Sequence, residues 1–240
     1  MGIFRKHRRG TPAPCCAAVV PAAGSSTRMG QDKLFAPLGG VPVLVHTLRA
    51  LEGCPSIGEI IVVTRPDHLV EVGKLCREAA LTKVSKVVSG GATRTDSVLA
   101  GVKAVGEGYS LVAIHDGARP LVSQEVAERA IAAAQTGSAA APAVPVKDTV
   151  KEAQNGLVIS TPDRSRLFAV QTPQVFDIDL IRTALTRALE DGVSLTDDCA
   201  AVERLGIPVA LTEGSYTNLK ITTPEDLAVA EALLEWEGRI

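Results

Sequence analysis

Aromatic side chains are scarce in this chain: four Phe, two Tyr and one Trp in 240 residues. That is too few for the stacking platforms that hold unpaired nucleic-acid bases. An excess of one charge is missing too. The formal net charge is −2, so no overall field draws the chain to nucleic acid or to an anionic membrane. No apolar run approaches the roughly 20 residues that span a bilayer. The five cysteines (Cys15, Cys16, Cys54, Cys76, Cys199) are odd in number, scattered, and form no CxxC. This suits reduced thiols in a cytoplasm better than a disulfide frame or a zinc site. The four histidines (His7, His46, His68, His115) have no ligand spacing and read as structural or solvated.

What is present is an apolar fraction of 46%, enough for a full core in one large domain. Charge is uneven along the chain. Residues 1–10 hold Arg5, Lys6, Arg8 and Arg9 and no acid, leaving 21 basic and 27 acidic side chains in the rest. The expectation is a solvated, disordered basic tail over 1–14 and a single domain over 15–240. The basic start followed by CCAAVVPAA imitates a signal peptide. Cleavage near Ala23 would remove the strand that leads into the most unusual loop of the chain, so the signal reading is set aside.

Apolar β-type runs alternate with helical patterns. Strands are expected over 17–22, 59–64, 84–89, 110–116 and 208–213, and a β-type run over 216–222. Helices are expected over 41–53, 67–79, 95–108, 123–137, 178–190, about 197–206, and 223–236, the last with a Thr cap, then Pro, then acids. The alternation predicts an α/β fold: a doubly wound, mostly parallel, Rossmann-like sheet flanked by helices. Asn155-Gly156, inside 147–164, is a strong hairpin signal. An isolated polar hairpin is marginal by itself, so 147–170 reads as an arm projecting towards another subunit rather than a surface flap.

The stretch PAAGSSTRMGQDK (21–33) follows the first strand with almost no bulk and then two cations, Arg28 and Lys33. Small residues let a backbone come close to a ligand and offer its N–H groups to an anion. Gly24, Ser25 and Ser26 do so here, and a polyphosphate is the expected target. Neither GxxxxGK[ST] nor GxGxxG occurs. Two further strand ends match the first. SGGATRTDSVLAG (89–101) supplies a glycine pair, Arg94 and Ser97; HDGARP (115–120) supplies Asp116 and Arg119. In a doubly wound sheet such ends converge on one crevice. Asp116 is a magnesium ligand in reserve, an acceptor for a hydroxyl, or a turn cap.

In this order, PAAGSSTRMG, DKLF, GGATRTDSVLAG, HDGARP, KDTVK, TPQVF, LTDD and NLKITTPEDLA resemble the 2-C-methyl-D-erythritol 4-phosphate cytidylyltransferases over roughly residues 15–235. Many members carry Pro-Lys-Gln where this chain reads Asp32-Lys33-Leu34. The resemblance implies transfer of a cytidylyl group from CTP to 2-C-methyl-D-erythritol 4-phosphate in the non-mevalonate isoprenoid pathway, with magnesium bridging the phosphates. It implies that Arg28 and Lys33 stabilise charge on the pentavalent phosphorus and departing oxygens. Ala22, Ala23 and Gly24 would lie against the nucleotide, Gly91, Ala92 and Ser97 would frame the cytosine, and Pro21, Ser25, Arg94 and Gly117 would complete that side. Asp116 and Arg119 would border both substrates. Thr149, Arg164 and Lys220 would hold the sugar phosphate, the first two reaching the neighbouring subunit's site in a homodimer. Competing readings are a ribitol 5-phosphate cytidylyltransferase, a transferase using UTP or GTP, and a nucleotide-binding module without catalysis.

Overall fold

The structure, a computed structural model, describes residues 14–24 and 33–240. Nearly all of the expected tail, and Ser25, Ser26 and Arg28 of the first loop, lie outside the described residues. The chain starts with strand β1 (Cys16–Ala22), then a short ribbon, β2 (Pro37–Leu38) and β3 (Val41–Pro42), and helix α1 (Val43–Glu52). There follow β4 (Ile57–Thr64), α2 (Leu69–Glu78), β5 (Val84–Ser89), α3 (Arg94–Ala104), β6 (Leu111–Ile114) and α4 (Gln124–Gly137). The second half runs through β7 (Ala139–Pro145), β8 (Glu152–Gln154), β9 (Leu157–Ser160), β10 (Phe168–Val170) and β11 (Gln174–Asp177). It ends with α5 (Ile178–Glu190), α6 (Cys199–Glu203), β12 (Ala210–Glu213) and α7 (Pro224–Trp236).

Strands β6, β1, β4 and β5 lie side by side and parallel. Their apolar residues alternate between two cores, as the period of two requires. Ala18, Val20, Ile60 and Val62 pack with Leu44, Leu48, Val72, Ile131 and Leu234 of α1, α2, α4 and α7. Val19, Ile61, Val63, Val112 and Ile114 pack with Val98, Val102, Ile181, Leu185 and Val202 of α3, α5 and α6. Helices thus cover both faces of a mostly parallel sheet, as expected. The helix starts follow the sequence signals: Ser123 caps α4 through the Val126 N–H, and Thr223 and Asp226 form a reciprocal capping box ahead of α7 with Pro224 in its first turn.

The sheet continues past β6 in a way the sequence patterns do not foretell. Strand β11 is antiparallel to both β6 and β7, and β10 is antiparallel to β7, while β12 runs parallel to β7. Ala140 pairs with both Val175 and Ala210, so β7 is a central strand. It is written AAAPAVP, and its alanines favour a helix while its prolines speak against a central strand. The tertiary setting overrides both. Ala139, Ala140, Ala141, Ala143 and Val144 are buried between layers. The Pro142 carbonyl accepts from the Gln171 N–H, opposite the break between β10 and β11, so the missing N–H of Pro142 falls where the ladder is already interrupted.

The run 216–222 does not form a strand. The Asn218 side chain is fully buried, and its amide nitrogen donates to the Gln171 side chain and the Thr172 carbonyl. Ser215 and Thr217 bond each other's hydroxyls, a local alternative to ladder pairing. The helix expected over 95–108 stops at Ala104, where the Lys86 ammonium takes the Ala104 carbonyl and Glu59 takes the Gly106 N–H. The expected hairpin is present as β8 and β9, turning through Asn155 and Gly156 with φ of 51° and 79°. Two consecutive left-handed residues match the turn that suits strand twist.

Candidate active site

The carboxyl ends of β1, β5 and β6 open onto one cavity of about 370 Å³. Pro21, Ala22, Ala23 and Gly24 enter it from the end of β1, and Gly91 and Ala92 from the loop after β5. Thr93, Arg94 and Ser97 enter from the start of α3, and Asp116 and Gly117 from the end of β6. Lys33 and Lys220 complete the polar wall. Three segments far apart in sequence therefore meet as the strand-end reading expects.

The small residues have identifiable duties. A Cβ on Gly91 would lie 2.3 Å from the Asp96 Cβ, so only glycine fits. Asp96 cannot retreat, because it forms a capping box with Thr93: each side chain accepts from the other's backbone N–H, at 3.1 and 3.0 Å. Ser97 lines the cavity, yet its hydroxyl donates to the Thr93 carbonyl at 2.9 Å and accepts the Gly91 N–H at 3.1 Å. It shapes the loop rather than leaving its hydroxyl for a base. The first turn of α3 brings the positive end of an eleven-residue helix to the cavity wall.

Asp116 is the hub of the opposite wall. Its carboxylate lies 2.9 Å from the Lys220 ammonium, 3.5 Å from Arg119 Nε and 3.9 Å from an Arg94 Nη. Burial by itself would raise its pKa; Lys220, then Arg94 and Arg119, outweigh that and hold it at about 2. Lys220 reaches this place from the irregular 216–222 run, whose Ile221 N–H donates to the Ala118 carbonyl. Arg119 stands behind Asp116 and off the cavity wall, donating to the Asn218 carbonyl at 2.6 Å.

The backbone of Asp116 is pinned from below. Its N–H donates to the Thr172 hydroxyl at 3.1 Å, and that hydroxyl meets His115 Nδ1 at 3.0 Å. His115 Nε2 faces the Arg119 carbonyl at 3.2 Å. A carbonyl can only accept, so Nε2 carries the proton and Nδ1 accepts from Thr172. Burial pushes the His115 pKa down to about 4, and the ring is neutral at physiological pH.

Arg94 is gripped from the side. Asp198, 1% exposed, takes both guanidinium Nη groups, at 2.8 and 2.7 Å. Burial opposes the Arg94 charge, but Asp198 and then Asp116 outweigh it and raise its pKa. Burial raises the Asp198 carboxyl, yet the fork of a permanently charged guanidinium keeps it ionised at neutral pH. The sequence reading gave no role to Asp198, Gln174 or Thr172. All three lie in motifs that carry the resemblance, Thr172 and Gln174 in TPQVF and Asp198 in LTDD, which was the signal that could have found them.

Thr149 and Arg164 do not line this cavity. Both are exposed on the arm, where Arg164 donates to the Lys147 carbonyl at 2.7 Å. Among the described residues there is no cluster of three or more His, Cys, Asp or Glu side chains fit for a metal ion. Asp116 is already matched by three cationic groups, which is the wrong setting for a divalent cation. The described residues do not build a magnesium cage.

Comparison with known proteins agrees with this geometry. The model of the family "IspD: 2-C-methyl-D-erythritol 4-phosphate cytidylyltransferase" matches residues 16–236. A 2-C-methyl-D-erythritol 4-phosphate cytidylyltransferase from Caldanaerobacter subterraneus subsp. tengcongensis is 47% identical over 226 residues, 91% of this chain and 98% of that one. Another, from Desulforamulus reducens, is 48% identical over 91% of this chain and 95% of its own. The crystal structure of 4-diphosphocytidyl-2C-methyl-D-erythritol synthase from Anaerococcus prevotii superposes with a TM-score of 0.82 at 33% identity, covering 93% of this chain and 99% of that one. The Thermus thermophilus cytidylyltransferase structure gives 0.76 at 36% identity, over 91% and 98%. With the family model spanning residues 16–236 and relatives this similar along nearly their whole length, the chain belongs to the 2-C-methyl-D-erythritol 4-phosphate cytidylyltransferase family.

Proposed function

We propose that this chain transfers the cytidylyl group of CTP to 2-C-methyl-D-erythritol 4-phosphate, giving 4-diphosphocytidyl-2-C-methyl-D-erythritol and pyrophosphate. The observation that carries the reading is the two-sided cavity: small residues and Lys33 on one side, the Asp116–Lys220 pair on the other. Family membership supplies the identity of both substrates.

The acceptor's phosphate oxygen attacks the α-phosphorus of CTP, a new P–O bond forms, and the bond to the β-phosphate oxygen breaks as pyrophosphate leaves. The nucleophile is already an anion at neutral pH, so no strong general base is required. His115 is buried and hydrogen-bonded on both nitrogens, and is assigned no proton transfer. Catalysis consists of positioning and of stabilising charge that builds on the phosphate oxygens. Lys33 is assigned that work, and Arg28, which lies outside the described residues, is assigned it too on the family resemblance. Lys220, oriented by Asp116, is assigned the acceptor's phosphate, and Arg119, off the cavity wall, holds Asp116 from behind. Magnesium or another divalent cation would arrive on the triphosphate of CTP itself.

We assign Thr149 and Arg164 to the acceptor site of a second copy, in a homodimer formed through the arm. Their distance from the cavity of their own chain motivates this, together with the exposed apolar residues of β9.

The test is pyrophosphate release with CTP, UTP or GTP, against 2-C-methyl-D-erythritol 4-phosphate or ribitol 5-phosphate. Turnover is expected only with CTP and the methylerythritol phosphate. Preference for ribitol phosphate, for another nucleotide, or no turnover at all would replace this reading with the corresponding rival. Lys33→Ala is expected to lower kcat by about 10²–10³, as for loss of a donor aimed at developing charge; near-normal kcat would remove Lys33 from the chemistry.

A further inference from the structure

We propose that Asp198 is a positioning residue for the nucleotide side of the site: its buried carboxylate holds the Arg94 guanidinium facing the cavity and away from Asp116. The inference rests on the functional reading above and deepens it.

Arg94 stands between two carboxylates. One of its Nη groups is 2.7 Å from Asp198 and 3.9 Å from Asp116. The short pair is the fork-on-fork one, with both Nη groups engaged, and such bidentate pairs fix orientation as well as charge. Asp116 is thereby left to Lys220 at 2.9 Å. Remove the charge at position 198, and the nearest anion left to Arg94 is Asp116. The guanidinium would turn onto it, leave the cavity wall, and compete with Lys220.

Asp198 is itself held on the sheet and not on a loose loop. The side-chain oxygen of Gln174 accepts the N–H groups of both Asp198 and Cys199 at 3.0 Å, and its amide nitrogen donates to Asp197 at 2.8 Å. Gln174 lies in β11 opposite Ile114, the last residue of the strand that delivers Asp116. The nucleotide-side cation and the acceptor-side hub are therefore set against the same pair of strands.

The experiment is a double-mutant cycle in the full-length protein, read by calorimetric titration of CTP and by steady-state kinetics. Asp198→Asn keeps the shape but discards the charge. It is expected to raise the Kd and KM for CTP by about ten- to hundredfold, the range for a hydrogen bond to a charged group, with a smaller change in the KM for the acceptor. In an Arg94→Ala background the same substitution is expected to change CTP binding by no more than about twofold, because its effect passes through Arg94. A Kd for CTP within about twofold of wild type in Asp198→Asn would overturn the proposal. So would an equal loss in both backgrounds, the mark of a merely structural carboxylate. If Asp198→Asn fails to fold, Arg94→Lys serves instead: it keeps the charge without the fork, and an unchanged KM for CTP there overturns the proposal too. A wild-type chain that binds CTP but turns over no acceptor would defeat the functional reading and leave the calorimetric comparison standing. A wild-type chain that binds no CTP would defeat both.

Discussion

The residue with the clearest solution signature is His115. Its folded pKa, pushed to about 4 by burial, lies below the ordinary 6.5. Between those values the unfolded chain binds a proton that the folded chain refuses, so stability must fall as pH falls through that window and is complete above it. The neighbouring charges do not blur the assignment: Asp116 is held ionised down to about 2, and Arg119 keeps its charge throughout. From pH 7 to pH 4 the loss attributable to His115 is about 3 kcal/mol, at 1.36 kcal/mol per unit. Urea unfolding of wild type and His115→Gln at pH 7, 5 and 4 should show that much less acid sensitivity in the variant. Parallel curves would mean that the imidazole takes up its proton while still folded.

At the scale of elements, the start of α3 couples local structure to the cavity. The loop from Gly90 to Thr93 follows β5, and the capping box closes it onto Asp96. Gly91→Ala places a methyl where the Asp96 Cβ already stands, so the box must open. Loss of the cap costs about 1 kcal/mol, within a range of 0.5–2, and the cavity wall moves with it. Thermal unfolding should shift down by a few degrees for a domain of this size, with a rise in the KM for CTP. An unchanged melting temperature and KM together would show that the loop has slack the geometry does not display.

On the scale of the whole molecule, the arm is the part without a core of its own. Leu157, Val158 and Ile159 are 74, 61 and 57% exposed, on a two-stranded hairpin that pairs with no other strand among the described residues. Such a ribbon is marginal in water, and it exposes Leu157 and Ile159 on one face and Val158 on the other, apolar surface that suits a partner. If the arm serves a homodimer, wild type should sediment as a dimer, and Leu157→Ser with Ile159→Ser should sediment as a monomer that still binds CTP but uses the acceptor poorly. Mixing Arg164→Ala with Lys33→Ala subunits should restore part of the activity, because one site of each hybrid is intact. A monomeric wild type, or no rescue, would confine each site to its own chain.

Periodicity and turn chemistry in the sequence were enough to determine the alternating strands and helices, the two-faced cover of the parallel strands, and the hairpin at Asn155-Gly156. The capped helix starts and the three small-residue strand ends could be found in the same way. These are local matters, decided by which side chains recur every two or 3.6 residues and by which backbones tolerate a turn. The tertiary structure alone decided that an alanine- and proline-rich segment would be the central strand β7, because burial between layers outweighs intrinsic preference. It also decided that 216–222 would give up ladder pairing, since the amide nitrogen of a buried Asn218 donates to Gln171 and Thr172. The link from Asp198 to Arg94, 104 residues apart, belongs to the same class. A pairing between carboxylate and guanidinium at that separation leaves no periodic trace; it exists only once the sheet has brought both to one edge of the cavity.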